Sequence, residues 1–560
     1  MLKPRFVALA VLAAALVAAP AAHAASAASL KCQAAKLKAA GKVCDCRHGI
    51  AAKAIVSGET PDFLKCHDKL LAAFAKANAK GGCPETSDGG LFEGRIATLV
   101  SDLQIELQAT GATGDAAKCV AAKFKAAGKK CACVHKLQAT ATQKGTTPDF
   151  TSCDAKLTAA YTKAEAKGSC PTTMDAQHIC DFVQASFAEV EADIADRDTT
   201  TYAALGPYGA GLQTVTLTDS SRATPPNGTY AGAPDRTLVT DIWYPVVSTG
   251  VDEQQAGEPI ITTGGPFPLI VRAHGFSAFR NDSRALMRQL ASWGYIVVAP
   301  DFPLSNLNAP GGPTIADVGN QAGDLSFLID TYLAENANPS SFLFGRIDPT
   351  RIGAIGHSLG GATVLLSTYH ADLRDPRIKA TIALSPLACV FLDNFFDGSN
   401  VPLMIEAGTS DLITQYDSND LQPYGLVNAP KYLATFIGGT HLGFDDRLLY
   451  PPSAHGDDAI GCSIFVPPGG DRPVTFEANL PPDFLGGPAK GIDPSGSMCQ
   501  PLCPYPDPGW MVQARQLVLT KAASIAFFDA KLRGSVSGAR MITGRLDTDN
   551  TDVTLSFEEP

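Results

Sequence analysis

Apolar and polar positions divide the chain into three textures. Behind Lys3 and Arg5, an unbroken apolar run covers residues 6–19 and stops ahead of Ala22-His-Ala24. Residues 31 to about 195 are rich in Ala and Lys, which favours helix, and Gly/Pro breaks at 57–61 and 81–84 cut that texture into pieces. From about residue 212, short apolar runs alternate with longer stretches of helical pattern. Runs at 212–217, 237–244, 268–274, 295–301, 351–355, 378–384, 401–407 and 431–437 predict strands. Segments 283–293, 319–334, 359–370 and 511–532 predict helices. Strands alternating with helices predict an α/β domain over 212–534, built on a mostly parallel sheet flanked by helices. Residues 196–211, rich in Thr, Ala and Gly, read as a linker. Residues 535–560 read as a polar tail with a strand-forming run at 553–557.

The first apolar run is shorter than the roughly 20 residues that span a bilayer. With its basic start and small-x-small end it reads as a secretory signal peptide over 1–24, cleaved near Ala24/Ala25. The mature chain is therefore expected to be secreted or periplasmic, and no later segment is long and apolar enough to span a membrane. At 560 residues, with 45% hydrophobic content, the chain should fold as more than one domain. A net charge of -11 argues against a nucleic-acid role. Fifteen cysteines in an exported chain are disulfide material.

The helical texture is a tandem duplication. Cys32, Cys44, Cys46, Cys66 and Cys83 recur as Cys119, Cys131, Cys133, Cys153 and Cys170, each displaced by 87 positions (119 less 32, for instance). His48 recurs as His135. The copies occupy 25–110 and 111–195, and each reads as an antiparallel helix pair plus a third helix, such as 91–108 in the first. Antiparallel pairing would bring Cys32 to Cys83 and Cys66 to Cys44 or Cys46. One cysteine per copy is left over, and Cys180 could take the spare of the second copy. Cys44-Asp-Cys46-Arg-His48 and its repeat also invite a metal or haem reading. Haem attachment needs two residues between the cysteines and finds one, and cross-linking is the commoner use in an exported helical module. No metal or cofactor is expected. Residues 31–84 carry ten Lys/Arg against four Asp/Glu (+6) and 118–171 ten against three (+7). A solvated helical face accounts for this excess; the sharper expectation is contact with an anionic envelope or polymer surface.

Chemistry concentrates in the α/β part. Gly356-His-Ser358-Leu-Gly360 joins a predicted strand to a predicted helix, the G-x-S-x-G nucleophile elbow that lifts a serine hydroxyl clear of a sheet. Such a serine needs a base and a group that orients the base, here in the chain order Ser, Asp or Glu, His. Gly408-Thr-Ser-Asp411 and Gly438-Gly-Thr-His441 each follow a predicted strand, so Asp411 is the expected orienting acid and His441 the base. His455 lies in a Pro-rich segment, His370 ends the helix after the elbow, Asp301 follows a strand that precedes the serine, and Asp417 and Asp420 lie deeper in their loop. Oxyanion donors are expected from the backbone N–H of Leu359 and of Phe276, in His274-Gly-Phe-Ser277. His274, Phe276 and His357 are the substrate-pocket candidates. Between His441 and the last helix, an insertion over about 446–510 holds Cys462, Cys499, Cys503 and eleven prolines from Pro467 to Pro508. It reads as an irregular loop near the cleft, with Cys499–Cys503 or Cys389–Cys462 as candidate bridges.

Asp241-Ile-Trp-Tyr-Pro245, Ala273-His-Gly-Phe-Ser-Ala-Phe-Arg280, the block from Leu290 to Asp301 and Gly356-His-Ser-Leu-Gly-Gly-Ala-Thr363 resemble an α/β-hydrolase group. That group contains platelet-activating-factor acetylhydrolases, dienelactone-hydrolase-like enzymes and cutinase-like polyester hydrolases. The resemblance covers roughly 212–445 and a closing helix. It implies an α/β-hydrolase fold and a metal-free serine esterase acting on short or medium acyl esters or polyesters. In the acetylhydrolase branch the acid follows the strand after the elbow, where this chain has Ser385; Asp411 fits the other two branches. The repeats resemble tandem Ala/Lys/Cys-rich modules of predicted exported bacterial proteins, which implies no activity. Two further readings stand beside the esterase: a surface-binding scaffold with an inactive hydrolase domain, and a serine peptidase on the same fold.

Overall fold

The computed structural model describes residues 27–83, 89–180, 182–183, 187, 197–247, 255–261, 265–446, 458–465, 481–493, 495, 497–503 and 510–560. The signal-peptide reading of 1–24 and His455 lie outside the described residues.

Two 31-residue helices, α1 (Ala27–Ser57) and α4 (Gly114–Lys144), dominate the N-terminal module and lie against each other. The crossing is close because both copies carry a glycine where they meet. A β-carbon at Gly41 would sit 2.7 Å from the His135 Cβ, and one at Gly128 2.6 Å from the His48 Cβ. Gly41 and Gly128 are equivalent positions, as are His48 and His135, so each copy's glycine receives the other copy's histidine and the crossing is a pseudo-twofold. The shorter helices α2 (Leu64–Asn78), α3 (Gly89–Glu106) and α5 (Thr151–Glu165) complete a single core shared by both copies, with Leu37, Val43, Phe74, Phe124, Val134 and Tyr161 buried together.

Symmetry also decides the disulfides. Cys32–Cys83 and Cys119–Cys170 form, and Cys66 pairs with Cys46 as Cys153 does with Cys133. The cysteine expected to be left over in each copy finds its own equivalent: Cys44 bonds Cys131 across the crossing. A residue beside a twofold meets its counterpart, so the spare of the second copy goes there and not to Cys180, which is a buried thiol in the shared core. With every Cys-x-Cys pair oxidised, the thiolates that a metal would need are consumed. Part of the basic excess is turned inward. Buried Lys123 meets Glu165 and Asp175 at 2.7 Å each, and Lys130 meets Asp154 at 2.7 Å.

The rest of the chain builds one ten-stranded sheet. Its strands are β1 (Gly209–Asp219), β2 (Arg236–Val246), β3 (Gln255–Ala256), β4 (Phe267–Ala273), β5 (Ile296–Asp301), β6 (Ile347–His357), β7 (Ile378–Leu384), β8 (Leu403–Gly408), β9 (Lys431–Phe436) and β10 (Val553–Glu558). They lie in the order β10-β9-β8-β7-β6-β4-β5-β2-β1-β3. From β5 to β9 the neighbours run parallel, and β1, β2 and β10 are antiparallel additions. The crossover at β5-β4-β6 and the antiparallel opening pair make this the α/β-hydrolase arrangement. The central strands are buried on both faces, which is why they read as unbroken apolar runs.

Helices cover the two faces. The helix α6 (Thr199–Ala203) stands where a linker was expected, its Tyr202 stacked on Trp293 at 5.3 Å. On the same face pack α7 (Arg284–Ser292) and the long C-terminal helix Gln513–Arg533, with Leu290, Phe527 and Phe528 buried. The other face carries α8 (Val318–Ala337) and α9 (Leu359–Tyr369). The C-terminal residues are not a tail: β10 completes the sheet against β9.

His48 and His135 set a pH response. Burial pushes each imidazole down from 6.5 to about 4, against the opposing bonds from Nδ1 to the Cys44 and Cys131 carbonyls. The unfolded chain therefore binds more protons than the folded one between those values. The contribution of these two histidines to the module's stability is full above about pH 6.5 and is lost as pH falls through about 4. Denaturant midpoints at pH 7.5 and 4.5 should show this loss, and His48→Phe/His135→Phe should flatten it.

Candidate active site

Strand β6 delivers the chain into Ser358, whose backbone has φ 57° and ψ -120° before α9 begins at Leu359. A non-glycine residue at positive φ is strained, and such strain persists only where the surroundings enforce it. Here the enforcement is packing. A β-carbon at Gly356 would come within 2.0 Å of the Gly360 carbonyl oxygen, and one at Gly360 within 2.2 Å of the Ala273 oxygen. Glycine alone lets strand, turn and helix come this close, and the serine is forced into the sharp conformation between them. The Ser358 hydroxyl is half-buried and has no hydrogen-bond partner among the described residues. The loop after β4 lies directly beside it: a β-carbon on Gly275 would be 3.3 Å from the Ser358 Cβ. This brings Phe276 next to the serine. The N–H of Leu359, first in its helix, points out of the helix end without an intrahelical acceptor.

The loops after β8 and β9 meet each other. His441 Nδ1 donates to Asp411 Oδ2 at 2.8 Å, with both side chains buried. Asp411 Oδ1 accepts the backbone N–H groups of Ile413 and Thr414 at 2.8 Å each. The Thr414 hydroxyl lies 2.9 Å from His441 Nδ1, 3.0 Å from Asp411 Oδ2 and 3.0 Å from the Ser385 carbonyl. Burial pulls the His441 pKa down more than any other single influence. The charge and hydrogen bond of Asp411, helped by Asp458 and Asp445, together outweigh it, and the net effect is upward. The ring rests on His357 at 4.6 Å between centroids, which brings His441 alongside the residue preceding Ser358. Ser358 Oγ and the His441 ring are not hydrogen-bonded.

The other residues singled out from the sequence fall elsewhere. His274 is not a pocket residue: its ring is fully buried, Nδ1 bonds the Gly275 carbonyl at 2.7 Å and Nε2 accepts the Phe302 N–H at 3.0 Å. It shapes the loop that carries Phe276. His357 likewise faces inward, donating from Nε2 to the His441 carbonyl at 3.2 Å and packing on Phe444. Phe276 packs against the apolar cluster on the α9 side. Asp301 is engaged by Arg280, through its backbone N–H and its guanidinium. Asp420 is fully buried; burial and then the nearby Asp411 charge push its carboxyl well above the usual range. His370 donates to the Leu485 carbonyl at 3.0 Å.

One residue escaped the sequence reading. Asp458, in the proline-rich insertion, is buried between the two loops. Its Oδ2 accepts the N–H groups of Leu412 (3.0 Å) and His441 (3.1 Å), and its Oδ1 accepts that of Leu442 (2.8 Å). Burial and the Asp411 charge raise its pKa to about 7, against His441 and the backbone donors. An acid in a Pro-rich loop carries no periodic signal, and only Cys462 nearby hinted that the segment is anchored. The anchors also differ from the expected pairs. Cys462, in helix α10 (Ala459–Phe465), bonds Cys503, and Cys389 bonds Cys499. Cys503 N donates to the Leu412 carbonyl at 2.7 Å, so this end of the insertion returns to the loop after β8.

Residues 253–445 match a family model described as PET hydrolase-like, a stretch that runs from β3 past His441. A bis(hydroxyethyl) terephthalate hydrolase of Streptomyces coelicolor is 28% identical over 161 residues, 29% of this chain and 45% of that protein. Lipase 1 of a Moraxella species is 27% identical over 183 residues, 32% of this chain and 50% of that protein. Cutinase est2 of Thermobifida alba is 25% identical over 178 residues, 31% of this chain and 53% of that protein. The chain thus spans about half the length of the curated relatives it matches.

Asp458→Ala would leave the Leu412, His441 and Leu442 N–H groups without their acceptor. The expected loss of stability is about 1–3 kcal/mol, seen as a lower thermal midpoint. An unchanged midpoint would mean that Asp458 does not brace the loops.

Proposed function

We propose that the chain is an exported serine carboxylic-ester hydrolase that works through an acyl-enzyme. The observation that carries the reading is the buried Asp411–His441 pair, 2.8 Å apart at the carboxyl ends of β8 and β9, beside the strained Ser358 at the end of β6. Ser358 Oγ attacks the acyl carbon and its proton passes to His441 Nε2. Asp411, on Nδ1, holds the ring in that tautomer and favours the imidazolium that forms. The N–H groups of Leu359 and Phe276 receive the oxyanion. As the intermediate collapses, the ester C–O bond breaks and the departing alcohol oxygen takes the proton from His441. Water then attacks the acyl carbon, gives a proton to His441, and Ser358 Oγ leaves with it, freeing the acid.

Similarity to a terephthalate-ester hydrolase, a lipase and a cutinase supports an ester as the substrate. Seven disulfides among the described residues fit an oxidising compartment. No described helix is long and apolar enough to cross a membrane. The basic repeats are proposed to touch an anionic envelope or polymer surface; no nucleic-acid role is proposed.

Turnover of p-nitrophenyl esters by the mature protein tests the reading. Ser358→Ala should lower kcat/KM by about 10³-fold or more. Equal turnover by both proteins, or none by either, would remove it. The base acts only when neutral, and the carboxylates raise the His441 pKa. kcat/KM should therefore fall as pH drops through a value above the ordinary 6.5 of imidazole. Asp411→Asn should move that limb to lower pH while depressing the rate.

A further inference from the structure

In the N-terminal module the start of α1, the end of α2 and the end of α4 enclose a groove of about 890 Å³. Ala28, Lys31, Ala35 and Lys38 follow one another along α1 at spacings of three and four, so they form one stripe about 15 Å long. Lys80, just past α2, and Lys144, the last residue of α4, stand on the other sides. The Cys32–Cys83 bridge ties the segment after α2 to the beginning of α1 and so holds Lys80 near the stripe. None of the twelve lining residues is acidic. Among the described residues, the side chains of these four lysines have no ion pair and no hydrogen bond.

Helix stability accounts for two of these charges and not for the others. Lys80 and Lys144 stand at helix C-termini, where a cation suits the dipole. Lys31 lies just inside the N-terminal end of α1, where the dipole disfavours a cation, and Lys38 lies two turns further on. The second copy shows how such a charge is neutralised. Lys118, the equivalent of Lys31, meets Asp115 at 2.8 Å, and the equivalent of Asp115 is Ala28, on the stripe that lines the groove. The equivalent of Lys144 is Ser57. The duplication thus repeats the helices but not this cluster of four free lysines. Like charges gathered around one concavity repel one another, and a bound anion relieves that repulsion.

We infer that this groove binds a linear acidic polysaccharide, with its carboxylates on the four lysines and its sugar rings along the alanine stripe. The inference rests on the anionic-surface reading of the basic repeats, names the site and the partner, and is independent of the ester-hydrolase reading. Charge complementarity selects a polyanion. Shape and lining narrow the choice. The groove is concave, so a flat bilayer surface meets its rim and not its floor. Between the lysines the floor is made of small apolar side chains, Ala28, Leu30, Ala35 and Ala77. Such a floor suits the C–H faces of sugar rings and offers nothing to a bare phosphate chain. Exposed ammonium groups are strongly hydrated point charges, so binding through them is weakened by salt.

The test is calorimetric titration of the full mature chain with polygalacturonate. The wild type should bind it, less tightly as salt rises, and should not bind uncharged dextran. Lys31→Gln/Lys38→Gln/Lys80→Gln/Lys144→Gln should weaken binding about ten-fold or more. Ala28→Asp, which gives the groove the acid that the second copy has, should weaken it as well. Lys118→Gln/Lys125→Gln/Lys167→Gln, at the equivalent positions of the second copy, should bind as the wild type does. Thermal midpoints check that each variant is folded. No binding by the wild type overturns the inference, and so does equal weakening in the two lysine variants, which would mean bulk charge without a groove. Polyphosphate bound as tightly as polygalacturonate, or vesicles of anionic phospholipid bound in its place, would overturn the polysaccharide as partner. Turnover of p-nitrophenyl acetate should be the same in the groove variants and the wild type. Loss of ester turnover in all proteins with groove-dependent binding intact would remove the esterase reading and keep the groove.

Discussion

A carboxylate and an imidazole held together out of water are stable only if every remaining polar contact is supplied by the protein. The Asp411–His441 pair meets that demand through its surroundings. Two backbone N–H groups and a threonine hydroxyl complete Asp411, and Asp458 holds the backbone of both loops at once. The parallel pairing of β8 with β9 brings the loops side by side, and the Cys462–Cys503 bridge keeps Asp458 between them. Loosening any of these would leave a buried charge without its partners, which costs more than the pair itself contributes.

The same insertion works at two levels. One pinned piece braces the loops of Asp411 and His441 through Asp458. The other, fastened by Cys389–Cys499, packs Phe484 and Leu485 over Leu359, Ala362 and Leu366 of α9. A long irregular segment has little periodic packing to fix it, so cross-links and single hydrogen bonds to existing loops do that work. Cys389–Cys499 ties the insertion to the loop after β7, and Cys462–Cys503 ties two of its own parts together, with the Cys503 N–H bonded to the Leu412 carbonyl. In the N-terminal module the logic is different. A duplicated helix pair is held by its own symmetry: a glycine meets a histidine twice over, and one disulfide sits where equivalent residues coincide.

The predicted strands and helices were legible because each is long, strongly patterned and bounded by turn residues. The positions of Ser358, Asp411 and His441 directly after strands were legible because strand ends can be seen in sequence. His274 and His357 were misjudged for a related reason. Position beside a strand end says nothing of which way a ring turns, and both turn into the protein. The strand-forming run at 553–557 was read correctly as β10, whereas the helical turns at 199–203 and 536–549 were missed because short polar segments reveal their partners only when the neighbouring surfaces exist for them to bind.

By itself the sequence determined the alternation of elements, the duplication and the places of Ser358, Asp411 and His441 after three strands, since these depend on local pattern and chain order. Only the tertiary structure decided which cysteines bond and that Asp458 lies between the loops of Asp411 and His441. Those outcomes depend on distances between residues far apart in the chain, and no local period records such a distance.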